Sequence, residues 1–131
     1  MAVRILIVDD HEIVREGVRS LIGRSRPEWE VSGEATNGRE AVDAVETLRP
    51  DVVVLDLTMP VMNGLEATPQ ITGLGARVLI FTMHESARLS AVLREAGAKG
   101  CVLKSQAARD LTRAIDRLLE GGTFFDSQPE T

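Results

Sequence analysis

Aromatic side chains and cysteine are scarce in this sequence, which has one cysteine, one tryptophan, three phenylalanines and no tyrosine. Because Cys101 is alone, the chain forms neither an internal disulfide nor a zinc site built from several cysteines. Few aromatic rings are left to stack against nucleobases or flavin rings. The composition therefore excludes a disulfide scaffold and a cysteine-based zinc module, and it argues against a base-stacking surface.

Long apolar runs and basic runs are missing as well. The apolar stretches, such as residues 5–8 and 52–55, are far shorter than the roughly 20 residues of a membrane-spanning helix, and the first four residues lack the apolar core of a signal peptide. With 20 acidic and 15 basic side chains, the formal charge is −5, which argues against nucleic acid as a direct partner of this chain. We expect a cytoplasmic protein that does not associate with membranes, and its 131 residues suit one domain.

Five short segments have the character of β-strands. Four are nearly continuous aliphatic runs, as a parallel strand buried on both faces requires; they span residues 3–8, 52–57, 76–82 and 100–103. Residues 31–36 instead alternate between polar side chains and small or apolar ones, as a half-exposed edge strand does. The sequence therefore predicts four buried strands and a second strand that lies at a sheet edge.

Amphipathic helical patterns separate these strands. Their apolar faces are Val14, Val18, Leu21 and Ile22; Ala41, Val42, Val45 and Leu48; Leu89, Val92, Leu93 and Ala96; and Leu111, Ala114, Ile115 and Leu118. Asn37 and Asn63 each precede a helical segment, and Glu40 or Glu66 follows three residues later, which predicts two capping boxes. Because Pro69 removes an amide donor, we expect the helix after Asn63 to be short or kinked.

Repeated alternation of strand and helix predicts an α/β fold with right-handed crossovers, in which a doubly wound five-stranded parallel sheet has the order 2-1-3-4-5. We expect one domain over residues 1–120, and a tail or the start of a linker over residues 121–131. Ligands of such sheets bind beyond the carboxyl ends of the strands, beside the switch point between the first and third strands. Functional side chains should therefore lie at the strand ends.

Polar residues stand at these ends. Asp9 and Asp10 follow the first strand, Asp56 lies near the end of the third, Thr82 closes the fourth and Lys104 follows the fifth. Three converging carboxylates repel one another unless a divalent cation relieves them, and oxygen ligands suit Mg²⁺ better than zinc. If Asp56 carried a phosphoryl group, the added negative charge would require donors, which Lys104 and Thr82 could supply.

Each of these residues also has a purely structural interpretation. An Asp pair before a helix often caps the helix and interacts with its dipole. Thr82 alone is a common strand residue, and Lys104 alone is typical of an exposed charge. Lys104 gains weight because a sequence with 13 arginines and only two lysines still places a lysine at this strand end. The combination favours a functional site, because chance rarely places all of these residues at one edge of a sheet.

Together these segments resemble the receiver domain of two-component response regulators, most closely the receivers of LuxR- or NarL-type transcriptional regulators. The resemblance covers about residues 3–120. It is carried by Ile5-Leu6-Ile7-Val8-Asp9-Asp10, by Asp56-Leu57-Thr58-Met59-Pro60-Val61-Met62-Asn63-Gly64, by Phe81-Thr82-Met83-His84-Glu85 and by Gly97-Ala98-Lys99-Gly100-Cys101-Val102-Leu103-Lys104-Ser105. It implies a flavodoxin-like sandwich with the strand order given above.

The resemblance implies a role for each residue of the site. Asp56 would accept a phosphoryl group from the phosphohistidine of a sensor histidine kinase, or from a small acyl phosphate, in a reaction that depends on Mg²⁺. Asp10 would bind the metal directly and Asp9 through water, while Asp56 and the carbonyl of Thr58 would complete the ligands. Lys104 would hold a phosphoryl oxygen.

Other residues would transmit or tune the signal. Thr82 would turn its hydroxyl inward after phosphorylation, and the face made by the fourth helix, the fifth strand and the fifth helix would shift. Thr58, Met83 and His84 would border the pocket and set how fast water removes the phosphoryl group, although His84 also fits a solvated loop residue. Cys101 stands where many receivers carry an aromatic switch residue, so the surface change is expected to be muted or carried differently. Its own chemistry suits a small buried side chain or a redox-sensitive thiol.

Two other classes of protein remain open. A receiver-like interaction module that phosphorylation does not switch would share the fold, and Cys101 is compatible with it. A phosphohydrolase with an Asp nucleophile would need a second Asp two residues later, where this chain has Thr58. Under the leading hypothesis the chain is not an enzyme beyond its own phosphorylation and dephosphorylation. It is a possible homodimer, and it reaches DNA only through an output domain outside this sequence.

Overall fold

Strands and helices alternate regularly along residues 2–125, which are the residues described by the structure, a computed structural model. The strands are β1 Arg4–Val8, β2 Glu30–Ala35, β3 Val52–Asp56, β4 Arg77–Thr82, β5 Gly100–Leu103 and β6 Phe124–Phe125. The helices are α1 Glu12–Ser25, α2 Gly38–Leu48, α3 Gly64–Gly73, α4 Ala87–Ala96 and α5 Ala107–Leu119, and a single 3-10 turn, Lys104–Gln106, lies between β5 and α5.

The described strands form one parallel sheet of order β2-β1-β3-β4-β5-β6. The predicted order 2-1-3-4-5 is therefore confirmed, and β2 lies at an edge as its alternating pattern indicated. In the centre of the sheet, Ile5 of β1 pairs with Val31 of β2 on one side and with Val52 of β3 on the other. The switch point consequently lies between β1 and β3.

Side chains alternate between two cores, one on each face of the sheet. In β3, Val53 and Leu55 pack into the core shared with α2, α3 and α4, whereas Val52 and Val54 pack into the core shared with α1 and α5. All residues of β3 are buried. Burial on both faces explains why this strand is a continuous apolar run in the sequence.

Asparagine caps begin α2 and α3. Asn63 accepts a hydrogen bond from the Glu66 amide at 2.8 Å, and the Glu66 carboxylate accepts one from the Asn63 amide at 3.0 Å, so this predicted capping box is present. Asn37 accepts from the Glu40 amide at 2.9 Å. The Glu40 carboxylate, however, accepts from the amide and hydroxyl of Thr36, so the second predicted box is only half formed.

Pro69 lies inside α3 and does not end it. The helix continues to Gly73 and has ten residues, as many as α4. Ala67 and Ile71, on either side of the proline, are fully buried in the core. Their packing outweighs the missing amide hydrogen bond, because tertiary contacts supply most of the stability of a short helix.

The chain after α5 differs from the sequence prediction. Phe124 and Phe125 fall in the segment expected to be a tail, yet they pair with Gly100 and Cys101 of β5, so the sheet continues past residue 120. The rest of that segment, residues 126–131, lies outside the described residues, as does Met1. None of the helices within residues 2–125 is both long enough and apolar enough to cross a membrane.

Candidate functional site

Three charged side chains from different strands meet at the carboxyl edge of the sheet. Asp9 follows β1, Asp56 is the last residue of β3 and Lys104 follows β5. The Lys104 ammonium lies 2.8 Å from Asp9 Oδ2 and 3.2 Å from Asp56 Oδ1. Because β4 separates β3 from β5, the lysine side chain reaches across the end of β4, and its nitrogen lies 5.9 Å from the centre of the Phe81 ring. The structure thus brings three of the predicted residues into direct contact.

This cluster is largely removed from water. Asp9 is 1% exposed and Asp56 is 5% exposed. Burial and the neighbouring Asp9 charge raise the pKa of Asp56, against the opposing effects of the Lys104 ammonium and the Thr58 amide. Burial lowers the pKa of Lys104, but its close contact with Asp9 and the charges of both carboxylates outweigh this, so the pKa of Lys104 is raised. The lysine therefore remains a cation, and it compensates two carboxylates that would be costly to bury alone.

The carboxylate oxygens in and beside this cluster could bind a divalent cation. Asp9 Oδ2 is buried, and within residues 2–125 it has the lysine ion pair but no hydrogen bond of adequate geometry. The Asp10 side chain is 31% exposed, and ligand atoms of Asp9, Asp10 and His11 lie within 4.8 Å of one another. Carboxylate oxygens that can share a cation with water suit Mg²⁺. Asp56 adds a further carboxylate, whereas the contact that Thr58 makes with Asp56 comes from its amide.

Two residues that the sequence patterns do not single out hold Asp9 in place. The His11 amide donates to Asp9 Oδ1 at 2.9 Å, and His11 Nδ1 lies 3.2 Å from one oxygen of Asp9 and one of Asp10. Arg15 donates to the Asp9 carbonyl and to the Glu34 carboxylate, both at 2.7 Å. His11 could have been found, since it directly follows the Asp pair. Glu34 comes from β2, so only the fold brings it to Arg15.

The interpretation of the Asp pair as a cap of α1 is wrong. The N-cap of α1 is His11, so neither Asp9 nor Asp10 occupies the capping position. Asp9 instead accepts the His11 amide and faces the lysine across the sheet edge. The pair therefore lies at the switch point rather than within the helix terminus.

The loop between β3 and α3 holds Asp56 by close backbone packing. The Gly64 amide donates to the Leu57 carbonyl at 2.8 Å, and a Cβ atom on Gly64 would lie 2.3 Å from the Asp56 carbonyl oxygen. Val61, in the same loop, has a φ of 69°, a left-handed conformation that a β-branched residue rarely adopts. Asn63 and Gly64 thus begin α3 and also let it approach Asp56, and only the first role is visible in the sequence.

The other predicted residues lie around the cluster or away from it. Thr82 is 7% exposed at the end of β4. Thr58, Met83 and His84, which were predicted to border the pocket, are exposed. Cys101 is fully buried in the core on the face of α2, α3 and α4, so it lies beneath the site rather than in it.

Known proteins are similar to this chain in sequence and in fold. The sequence matches the family model of the response regulator receiver domain over residues 5–116. The transcriptional regulatory protein LnrK of Bacillus subtilis is 39% identical over 122 residues, which are 92% of this chain and 55% of LnrK. The nitrate/nitrite response regulator protein NarL of Escherichia coli is 39% identical over 121 residues, which are 89% of this chain and 55% of NarL.

A solved structure is also similar to this chain. The crystal structure of a two-component response regulator of the LuxR family from an Aurantimonas species has a TM-score of 0.88 and 44% sequence identity, and the match covers 95% of this chain and 89% of that one. The chain spans about half the length of the two curated relatives, 55% of each.

Proposed function

Because the chain belongs to the response regulator receiver family and is of the NarL/LuxR type, we propose that a phosphoryl group on Asp56 switches it between two states. The donor would be the phosphohistidine of a sensor histidine kinase or a small acyl phosphate. The observation that carries this proposal is the contact of one ammonium, on Lys104, with the buried carboxylates of Asp9 and Asp56. Such a cluster is costly to bury, and the cost is explained if the site handles a charged group.

In the proposed reaction a carboxylate oxygen of Asp56 attacks the phosphorus atom, and the bond from phosphorus to the donor breaks with its electron pair leaving on the donor. Lys104 then donates to a phosphoryl oxygen, since an ammonium bonds strongly to a charged oxygen. The carboxylates of Asp9, Asp10 and Asp56 and the carbonyl of Thr58 would hold Mg²⁺, which neutralises charge on the phosphoryl group when it is bound.

Charge explains why this reaction would change the protein. With Mg²⁺ bound, the three carboxylates and Lys104 form a formally neutral site, and a phosphoryl group on Asp56 leaves it with about one negative charge. Thr82, at the end of the neighbouring strand, is placed to donate to that group. One hydrogen bond to a charged acceptor contributes roughly 1.5–3 kcal/mol, which changes the ratio of two states by a factor of about 10 to 150. The face of α4, β5 and α5 would report this change.

The output of the switch is proposed from the relatives. LnrK is a transcriptional regulatory protein and NarL a response regulator, and each is longer than this chain. We infer that the receiver, proposed over residues 1–120 and extended by β6, controls transcription through a helix-turn-helix domain that residues 121–131 would join. DNA would then be bound only by that domain, and two receivers could pair as a homodimer. Enzymatic activity would be limited to the chain's own phosphorylation and dephosphorylation.

Intact-protein mass spectrometry tests the phosphoacceptor. The chain is incubated with acetyl phosphate, with and without Mg²⁺, beside Asp56→Ala and the control Asp43→Ala, which changes an exposed residue of α2. A gain of one phosphoryl group that requires Mg²⁺, occurs in the control and fails in Asp56→Ala is expected. No gain, either with acetyl phosphate or with phosphorylated histidine kinases, would instead favour an interaction module that phosphorylation does not switch.

A further inference from the structure

Strand β6 lies on the β5 edge that the order 2-1-3-4-5 would leave open. Phe124 pairs with Gly100 and Phe125 with Cys101. The Phe124 amide donates to the Lys99 carbonyl at 2.9 Å, which anchors the start of the strand. Residues 124–125 are therefore part of the sheet and not a loose end of α5.

The two phenylalanines of β6 point to opposite faces, as neighbouring residues of a strand do. Phe125 is 4% exposed and belongs to the same core as Cys101, and the guanidinium of Arg94 in α4 lies 4.2 Å from the centre of its ring. Phe124 packs against the other core, with the guanidinium of Arg113 in α5 5.9 Å from its ring centre. The strand is thus held between α4 and α5.

The backbone around β6 is shaped to admit it. Gly121 has a φ of 89°, and its amide donates to the Leu118 carbonyl, so the chain reverses at the end of α5. On β5, a Cβ atom at Gly100 would lie 2.9 Å from the Phe124 carbonyl oxygen. Only glycine at position 100 leaves room for the backbone of β6 at this distance.

Position along β5 connects β6 to the functional site. Cys101, the partner of Phe125, lies three residues before Lys104, whose ammonium contacts Asp9 and Asp56. The chain that follows Phe125 must leave from β6, and the matched relatives are longer than this chain. A movement of β5 that followed a change at Asp56 would reach β6 through these strand pairs, and with it the point where the following chain begins.

We propose that β6 is a detachable output strand, whose docking of Phe125 beside Cys101 is coupled to phosphorylation of Asp56. The coupling to phosphorylation rests on the proposed function, whereas the docking of β6 on β5 does not. Thermodynamic linkage requires that the coupling act in both directions, so loosening β6 must also change the stability of the phosphorylated state. Detachment would expose the β5 edge and free the following chain.

Cys101 is a built-in reporter, because it is the only cysteine in the sequence and is fully buried beside Phe125, its partner in the pairing of β5 with β6. The rate at which N-ethylmaleimide alkylates Cys101 under native conditions measures how often β6 detaches from β5. Phe125→Ala should speed the alkylation of Cys101 at least tenfold, whereas Phe125→Leu, which keeps a large apolar side chain, should change it less than threefold. Thr123→Ala, an exposed position just before β6, is the matched control and should leave the rate unchanged.

Coupling is tested by alkylating the intact chain with and without the phosphoryl group, whose presence is read from the mass of each sample. A rate that differs at least threefold between the two forms, and no longer differs in Phe125→Ala, is expected. An unchanged rate in unphosphorylated Phe125→Ala would overturn the docking, and equal rates in the two native forms would overturn the coupling. Failure to gain the phosphoryl mass would overturn the proposed function and the coupling with it, while the docking is judged by the unphosphorylated samples alone.

Discussion

Replacing Lys104 by methionine should destabilise the metal-free protein by about 3 kcal/mol at pH 7. Methionine keeps a long side chain but removes the ammonium that lies 2.8 Å from Asp9 and 3.2 Å from Asp56. At an effective dielectric constant of about 20, ion contacts of 2.8 and 3.2 Å each correspond to roughly 5–6 kcal/mol of Coulomb attraction. Desolvation of the ammonium offsets part of this gain. Because removing one member of a buried ion pair costs about 3–5 kcal/mol, and proton uptake by Asp56, whose pKa is raised, relieves some of that cost, the lower end is expected.

Urea unfolding in EDTA, followed by circular dichroism, measures this loss. With a slope of about 1.5 kcal/mol per molar urea, the midpoint of Lys104→Met should fall by about 2 M. Lys99→Met is the matched control, since Lys99 is the only other lysine and is exposed. Its free energy of unfolding should stay within about 0.5 kcal/mol of the native value. The difference in urea midpoint between Lys104→Met and the native protein should narrow at acidic pH, where Asp56, whose pKa is raised, becomes protonated.

A loss below about 1 kcal/mol, the range of an exposed ion pair, would refute the reasoning that Lys104 compensates two buried carboxylates. Mg²⁺ provides a second check. Because the cation supplies positive charge that the variant lacks, adding Mg²⁺ should stabilise Lys104→Met more than it stabilises the native protein. The opposite order would contradict binding of the metal near Asp9 and Asp56.

Asp56→Asn should be more stable than the native protein at pH 7 in EDTA, because burial and Asp9 raise the pKa of Asp56 and so disfavour its charged form. The folded state then binds the Asp56 proton more tightly than the unfolded state does, so the native protein loses stability as the pH rises from 3.8 through the raised pKa of Asp56. The urea midpoints of the two proteins should therefore converge near about pH 3. A difference between them that does not change with pH would contradict this. Gly64→Ala should cost about 2 kcal/mol in calorimetric unfolding, because its Cβ would lie 2.3 Å from the Asp56 carbonyl oxygen. Gly73→Ala, with no atom within 4 Å of the new Cβ, is the control and should cost nothing. Val61→Gly should raise the free energy of unfolding by up to about 1 kcal/mol, since Val61 has a φ of 69°, and a loss of stability would show that no strain is relieved.

The order of the first five strands could be predicted because burial leaves a direct mark on the sequence. A strand covered on both faces, such as β3, must be apolar at every position up to the site, and a half-exposed strand such as β2 must alternate. The same logic placed Asp9 and Asp56 at one edge of the sheet, since parallel strands end on the same side. Their contacts with Lys104 agree with that expectation.

Features that depend on long-range packing left no such mark. β6 has only two residues, too few for any periodicity, and Phe124 and Phe125 are strand residues only because Gly100 leaves room for them. Pro69 predicts a short or kinked helix but not where the helix ends, and the burial of Ile71 explains why α3 continues beyond the proline. Glu40 has two amides within reach, and sequence alone does not decide between that of Asn37 and that of Thr36, where it binds.

The central position of β1 also decides when the site can be assembled during synthesis. Ile5 pairs with Val52, so the middle of the sheet stays open until nearly half of the chain has left the ribosome. Every strand pair in the described sheet is parallel. Each of the first four helical crossovers must therefore close a long loop before the strands that it connects form any stabilising contact. Folding should accordingly be slower than in helical bundles of this size. Asp9 and Asp56 meet only in the step that joins β1 to β3, so a nascent chain that stops before residue 56 has no site at all.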